Sequence, residues 1–188
     1  MTDEGSATGV LRDEHQRILM VMRVLGRLLD AGERQGAWDL DAIGDCVMFF
    51  RLFADACHHG KEEDLLFPEL EARGIPREGG PIGVMLYEHQ MGRGFVRAMR
   101  DNLGPARGGD MGALTRLAEA GRQFIDLLTQ HIHKEDHILF NMADHVIDGT
   151  ACMGLCRKYD EVCGREFEGN TKAALEEIAA RLRAKCPD

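Results

Sequence analysis

The chain has 188 residues and a mass of 20.9 kDa, a length that suits one domain. It is 44% hydrophobic, 29% charged and 6% aromatic, which excludes a disordered chain. Its 23 Lys+Arg against 32 Asp+Glu leave a net charge of −9, the wrong sign for a nucleic-acid partner, whose phosphates need a basic footprint.

Apolar residues recurring every three or four positions predict helices along the chain. Helix one carries Leu11, Ile18, Met22, Leu25 and Leu29. The stretch Gly32 to Trp38 breaks it, and Asp39 is placed to cap helix two, which carries Ile43, Val47, Phe50, Ala54 and Leu65. A turn-rich connection, Gly74 to Pro81, leads to helix three with Ile82, Met85, Val96, Met99 and Leu103. A second turn, Gly104 to Asp110, leads to helix four with Leu114, Leu117, Gly121, Phe124, Leu128, Ile138 and Met142. Asp148-Gly149-Thr150 separates that helix from a tail in which Leu175, Ile178 and Leu182 predict a shorter fifth helix. No alternating run suggests a strand. The expected fold is all-α: an antiparallel up-down four-helix bundle over residues 1–150, with a cysteine-containing helical extension over 151–188 packed on it.

No stretch approaches the ~18 apolar residues of a membrane span. Met1-Thr2-Asp3-Glu4-Gly5-Ser6 lacks the basic and apolar regions of a secretory leader. A soluble cytoplasmic protein with no membrane partner is the expectation. The six cysteines (Cys46, Cys57, Cys152, Cys156, Cys163 and Cys186) then read as reduced thiols, since a core of this size needs no staples. Four of them fall in the tail, where a redox sensor or a second metal site is the alternative; the spacing is not a Cys-x-x-Cys zinc pattern.

An internal repeat carries the chemistry. Glu14-His15-Gln16 recurs as Glu88-His89-Gln90, 74 residues on. The segment from His58 to Phe67 recurs 73 residues on, from His131 to Phe140, with His, Lys, Glu, Leu and Phe matched. Each half is thus a helical hairpin with a histidine on one arm and His-x-x-x-Glu on the other, a spacing that puts both side chains on one helical face. His58/Glu62 aligns with His131/Glu135, whereas His59/Glu63 does not. Helical phase agrees, because Ala54 lies four before His58 and Asp55 four before His59. His58 is therefore taken as the inward residue and His59 is left at the boundary.

His15, His58, Glu62, His89, His131 and Glu135 all stand where leucine is expected on these stripes. An unpaired carboxylate in an apolar core costs several kcal/mol. Two carboxylates with four imidazoles exceed what a total stability of ~5–15 kcal/mol tolerates. A pair of cations removes that cost, with four neutral imidazoles, two carboxylates able to bridge, and positions left for water or a small ligand. One such histidine alone reads as a satisfied core residue. Six ligand types in phase on four helices, duplicated in register, point to metal.

At these residues the sequence resembles the hemerythrin-like, or HHE cation-binding, family over about residues 8–147. The most specific segments are His58-His59-Gly60-Lys61-Glu62-Glu63 with Leu66-Phe67-Pro68, then Glu88-His89, and His131 to Phe140. The resemblance implies a non-haem centre of two iron ions, other divalent metals being possible, with dioxygen, nitric oxide or peroxide as ligand. It implies that His15 and His58 hold one iron, that His89 and His131 hold the other, and that Glu62 and Glu135 bridge. Oxygen-carrying hemerythrins have a further histidine four residues along helix three, where this chain has Arg93. That leaves a position for solvent, Glu88 or His137, and favours reactivity or sensing over reversible oxygen carriage.

Outside the six, His133 and His137 read as solvent-facing or supporting groups, and His145 as a partner of a helix C-terminus. Lys61 and Lys134 read as solvated charges. Ferritin-like oxidases use Glu-x-x-His pairs on their helices, and the stripes carry none. Three functions remain open: a di-iron protein binding dioxygen, nitric oxide or a related oxidant for sensing, scavenging or storage; a di-iron enzyme acting on peroxide or nitric oxide, or repairing oxidised iron centres; and a helical interaction module that holds metal adventitiously.

Overall fold

The computed structural model describes residues 6–185, so the expectation for Cys186 lies outside the described residues. Among those residues there are six helices and no strand. Helix α1 is Ala7–Gln35, started by the Ser6 hydroxyl accepting from the Gly9 N–H and closed by Gly36 at φ 68°. That left-handed conformation is open to glycine at no steric cost. Helix α2 spans residues 40–72, with the Asp39 carboxylate capping Ala42 N–H as expected. It is α-helical over Leu40–Phe49, π-helical over Phe50–His59 and Glu62–Leu66, and α-helical again over Phe67–Ala72. Helix α3 is Pro81–Arg107. Helix α4 spans residues 111–146, with a π turn at Glu135–Leu139 between Met111–Lys134 and Phe140–Val146. Helices α5, Gly149–Cys163, and α6, Lys172–Lys185, follow.

Two boundaries differ from expectation. Helix α3 runs through Gly104 and Pro105 to Arg107, because the residue before the proline has no Cβ to clash with the ring. The tail holds α5 as well as α6. Its start is the Asp148 carboxylate, which accepts from the Thr150 and Ala151 N–H groups, and Leu155, Tyr159 and Val162 form its buried face.

The π turns also shift the apolar stripe. A π turn accommodates one more residue than an α turn, so the inward face advances by one position. In α2, Leu66 and Phe67 are buried while Leu65 is partly exposed. In α4, Leu139, Phe140 and Ala143 are buried, whereas Ile138 is 53% exposed and Met142 37%. Ile138 and Met142, expected in the core, are therefore on the surface.

Contacts among the four long helices run from α1 to α2, α2 to α3, α3 to α4 and back to α1. The apolar interior is in two parts. A larger cluster takes Ile18, Leu25, Phe53, Val96, Met99 and Phe124, and includes Leu175 and Leu182 of α6. A smaller one takes Leu11, Phe67, Met85, Phe140 and Tyr159. Along α1 and α3 the chain passes from the smaller cluster to the larger; along α2 and α4 it passes the other way. Each crossing occurs at the histidines and glutamates of the repeat. Gly121 lies in the α4 face packed on α1, where an added Cβ would come 2.8 Å from Leu29 Cδ1. No helix among the described residues is long and apolar enough to cross a membrane.

Candidate metal centre

All six residues picked out by the repeat are buried and meet in the layer between the two clusters. Donor atoms of His15, His58, Glu62 and Glu135 lie within 4.8 Å of one another. His15 Nε2 is 3.2 Å from Glu135 Oε2, and His58 Nε2 is 3.4 Å from Glu62 Oε1. On the other side, His131 Nε2 is 3.2 Å from Glu135 Oε2 and His89 Nε2 is 3.5 Å from Glu62 Oε2. Each glutamate thus faces imidazoles from both halves of the chain. Glu62 and Glu135 are also the first residues of the two short π turns, so the same local geometry presents both carboxylates.

Behind each imidazole stands an acid, and these acids lie outside the inward stripes. His58 Nδ1 donates to Glu14 at 2.9 Å, and His131 Nδ1 to Glu88 at 2.9 Å. His89 Nδ1 donates to Glu63 at 2.7 Å, and His15 Nδ1 to Asp136 at 2.7 Å. The repeat is preserved here too. The acid preceding each first-arm histidine holds the second-arm histidine of its own half. The acid following each inward glutamate holds a histidine of the other half. With Nδ1–H donated to an acid, Nε2 is the nitrogen that faces inward, and in the neutral imidazole it carries the lone pair a metal ligand needs. Sequence carried a signal for this: Glu14, Glu88, Glu63 and Asp136 each adjoin a repeat residue.

His59 is not at the boundary. It is 6% exposed, and its donor nitrogen lies within 4.8 Å of those of His89 and His131. Its ring stacks on His89 at 3.8 Å between centroids, and its Nδ1 is 3.3 Å from Asp55. The π-helical segment ending at His59 widens the turn, so adjacent histidines both face inward. Arg93 donates to Asp55 at 2.8 Å and to Glu63 at 2.6 Å, holding the acids behind His59 and His89. Neither Glu88 nor His137 fills the spare position: Glu88 is bonded to His131, and His137 is exposed with its Nδ1 on the His133 carbonyl. Lys61 is also a correction. It is 0% exposed and bonds Glu14, while its repeat mate Lys134 bonds Glu88. Lys61 is drawn in because π-helical turns flank it on both sides, leaving Glu14 as its buried counter-ion. His133 and His145 are exposed, His145 Nδ1 meeting the Asn141 carbonyl.

The electrostatics are those of a site that stabilises positive charge. Burial opposes protonation of His15 and His131, yet the adjacent carboxylates outweigh it and raise them to about 9 and about 10. His59 goes the other way, to about 3, because burial and the charge of His89 disfavour its cation. Burial and mutual repulsion push Glu62 and Glu135 up, and the surrounding imidazoles pull both below the ordinary carboxylate range. All four oxygens of these glutamates, with His15 Nε2 and His58 Nε2, are buried without a hydrogen-bond partner. Buried polar atoms are rarely left so, and this set of nitrogen and oxygen donors fits first-row transition-metal cations. A cavity of about 160 Å³ reaches His59 between apolar side chains (Phe50, Val96 and Phe124) and charged ones (Arg51, Arg93, Arg97 and Arg100), giving a small molecule a way in.

A helical protein with this buried donor set is of the metal-binding class. The hemerythrin HHE cation-binding domain matches residues 6–143, and the chain belongs to that family. The chain is 36% identical over 86 residues to the iron-sulfur cluster repair protein DnrN of Neisseria gonorrhoeae, covering 44% of this chain and 54% of that one. It is 39% identical over 90 residues to the iron-sulfur cluster repair protein YtfE of Musicola paradisiaca, covering 46% and 40%. An uncharacterized protein of Mycobacterium tuberculosis is 24% identical over 172 residues, covering 91% and 64%. The matched regions thus span about half the length of the repair proteins. No solved structure matches the chain.

Proposed function

We propose that this is a non-haem di-iron protein that binds a small oxidant, dioxygen or nitric oxide, for sensing, scavenging or storage. The observation that carries the proposal is the set of six buried donor atoms without hydrogen-bond partners, on Glu62, Glu135, His15 and His58. In this reading His15 and His58 hold one iron, His89 and His131 hold the other, and Glu62 and Glu135 lie between them. His59 stands beside the second, at the position left by Arg93. Two irons would supply reversible binding of, and electron transfer to, the oxidant. Glu14, Glu63, Glu88 and Asp136 keep the imidazole tautomers fixed, and the small cavity at His59, lined by apolar and arginine side chains, admits the ligand while excluding larger substrates. The alternating direction of the four long helices supports an antiparallel up-down bundle. The family match supports taking residues 1–150 as the metal-binding unit and 151–188 as an extension on it.

Protein loaded with iron under anaerobic conditions is expected to hold about two iron ions per chain, as di-iron helical bundles do. Its optical spectrum is expected to change when dioxygen or nitric oxide is admitted. Well under two metals in protein with native helical circular dichroism would overturn the reading. A second reading, repair of oxidised iron-sulfur centres, is favoured by the names of the two repair proteins. Restored activity of a peroxide-damaged iron-sulfur enzyme, at substoichiometric amounts of this protein, selects repair. A reversible spectrum without restoration selects binding.

A further inference from the structure

A second cluster of reactive side chains lies beside the metal centre, and its two thiols are used by none of the roles above. Cys57, which precedes His58 in α2, is fully buried. Cys163, the last residue of α5, is partly exposed. Both carry free thiols, and their sulfurs and a Glu14 carboxylate oxygen all lie within 4.8 Å of one another. The grouping has the look of a metal site, but the place for a cation is taken. The Lys61 ammonium, buried over the Tyr159 ring, bonds Glu14 and lies 3.8 Å from Cys163 Sγ.

We propose that Cys57 and Cys163 are a dithiol–disulfide pair oxidised by hydroperoxides, with Cys163 as the attacking sulfur and Cys57 as the resolving one. Three features assign the roles. Cys163 is the thiol an oxidant can reach, and it alone of the two is bonded to the lysine. The Cys57 S–H and the Lys61 charge outweigh burial and lower the Cys163 thiol to about 6, the direction that yields a nucleophilic thiolate. Closing the sulfurs to the ~2.05 Å of a disulfide requires movement, and a helix C-terminus followed by Gly164 is where the backbone yields most readily.

The chemistry balances. The Cys163 thiolate attacks one peroxide oxygen, the O–O bond breaks, and the departing hydroxide takes up a proton to become water. Cys163 is then a sulfenic acid. The Cys57 sulfur attacks the Cys163 sulfur, the S–O bond breaks, and the hydroxyl leaves as water with the Cys57 proton. One hydrogen peroxide and two thiols give one disulfide and two waters, with two electrons passing from sulfur to oxygen.

The test is peptide mapping, without reductant, of the full chain after brief exposure to a small excess of hydrogen peroxide. The expected product joins the Cys57 and Cys163 peptides, lacks two hydrogens and reverts with dithiothreitol. It is expected both in iron-loaded protein and after chelation, so the outcome is separate from that of the di-iron proposal. Cys57→Ala is expected to trap Cys163 as a dimedone-reactive sulfenic acid, and Cys163→Ala to leave Cys57 unmodified. A map of the wild-type chain with both thiols still reduced, or with the crosslink at Cys152 or Cys156 instead of Cys163, overturns the proposal.

Discussion

At His15 and His131 the neighbouring carboxylates hold protons on imidazoles that burial alone would strip, to about pH 9 and about pH 10. In metal-free protein these protons serve as the positive charge of the layer. Because both folded values lie above the ordinary histidine value near 6.5, their stabilisation is complete below about pH 6.5 and is lost as pH rises through 9 to 10. A bound cation replaces the protons, so the metal-free protein is expected to lose melting temperature across that window while the loaded protein holds it. Thermal melts of both forms check this, and proton release on loading near neutral pH is the companion measurement. Single side chains divide by layer in the same way. His58→Ala is expected to abolish loading at one side of the site, Glu62→Ala to impair it at both, and His59→Ala to lower it. Glu88→Gln, which changes only the acid behind His131, is expected to weaken metal affinity ~10–100-fold in a competition titration.

Within the helices, register is the part that the amino-acid pattern concealed. Spacing by three and four located Leu128, His131 and Glu135 correctly, then continued to Ile138 and Met142, which face solvent. A stripe read at 3.6 residues per turn cannot anticipate a turn held by i→i+5 bonds, and the same slip separates Leu65 from Leu66. The sequence trace of it is the pair of apolar residues at each slip, Leu65-Leu66 and Ile138-Leu139, together with adjacent His58 and His59. The slip has a direct test. Leu139→Ala is expected to cost ~2–5 kcal/mol in chemical denaturation, as a buried leucine does. Ile138→Ala is expected to stay within ~0.5 kcal/mol, as surface changes do. Tyr159 offers the opposite sign. Its buried hydroxyl has no hydrogen-bond partner, so Tyr159→Phe is expected to leave the melting temperature unchanged or raise it.

For the molecule as a whole, the internal repeat made the candidate site legible before any geometry, because duplication in phase is a stronger signal than any single histidine. The supporting acids were less legible, since Glu and Asp next to a ligand look like ordinary surface charge until partner helices are placed. The tail was half legible. Leu175, Ile178 and Leu182 marked α6, and all three join the larger apolar cluster. Helix α5 went unread because its buried residues, Leu155, Tyr159 and Val162, are few and separated by polar positions. Removing residues 164–188 would uncover the faces of α1 and α2 that α6 covers, and is expected to lower the denaturation midpoint markedly.

The acids that follow Glu62 and Glu135 grip histidines across the chain midpoint, Glu63 on His89 and Asp136 on His15. Neither hairpin can therefore orient its own full complement of nitrogens in isolation. On the proposed di-iron reading, capture of metal would therefore report on the docking of the two halves.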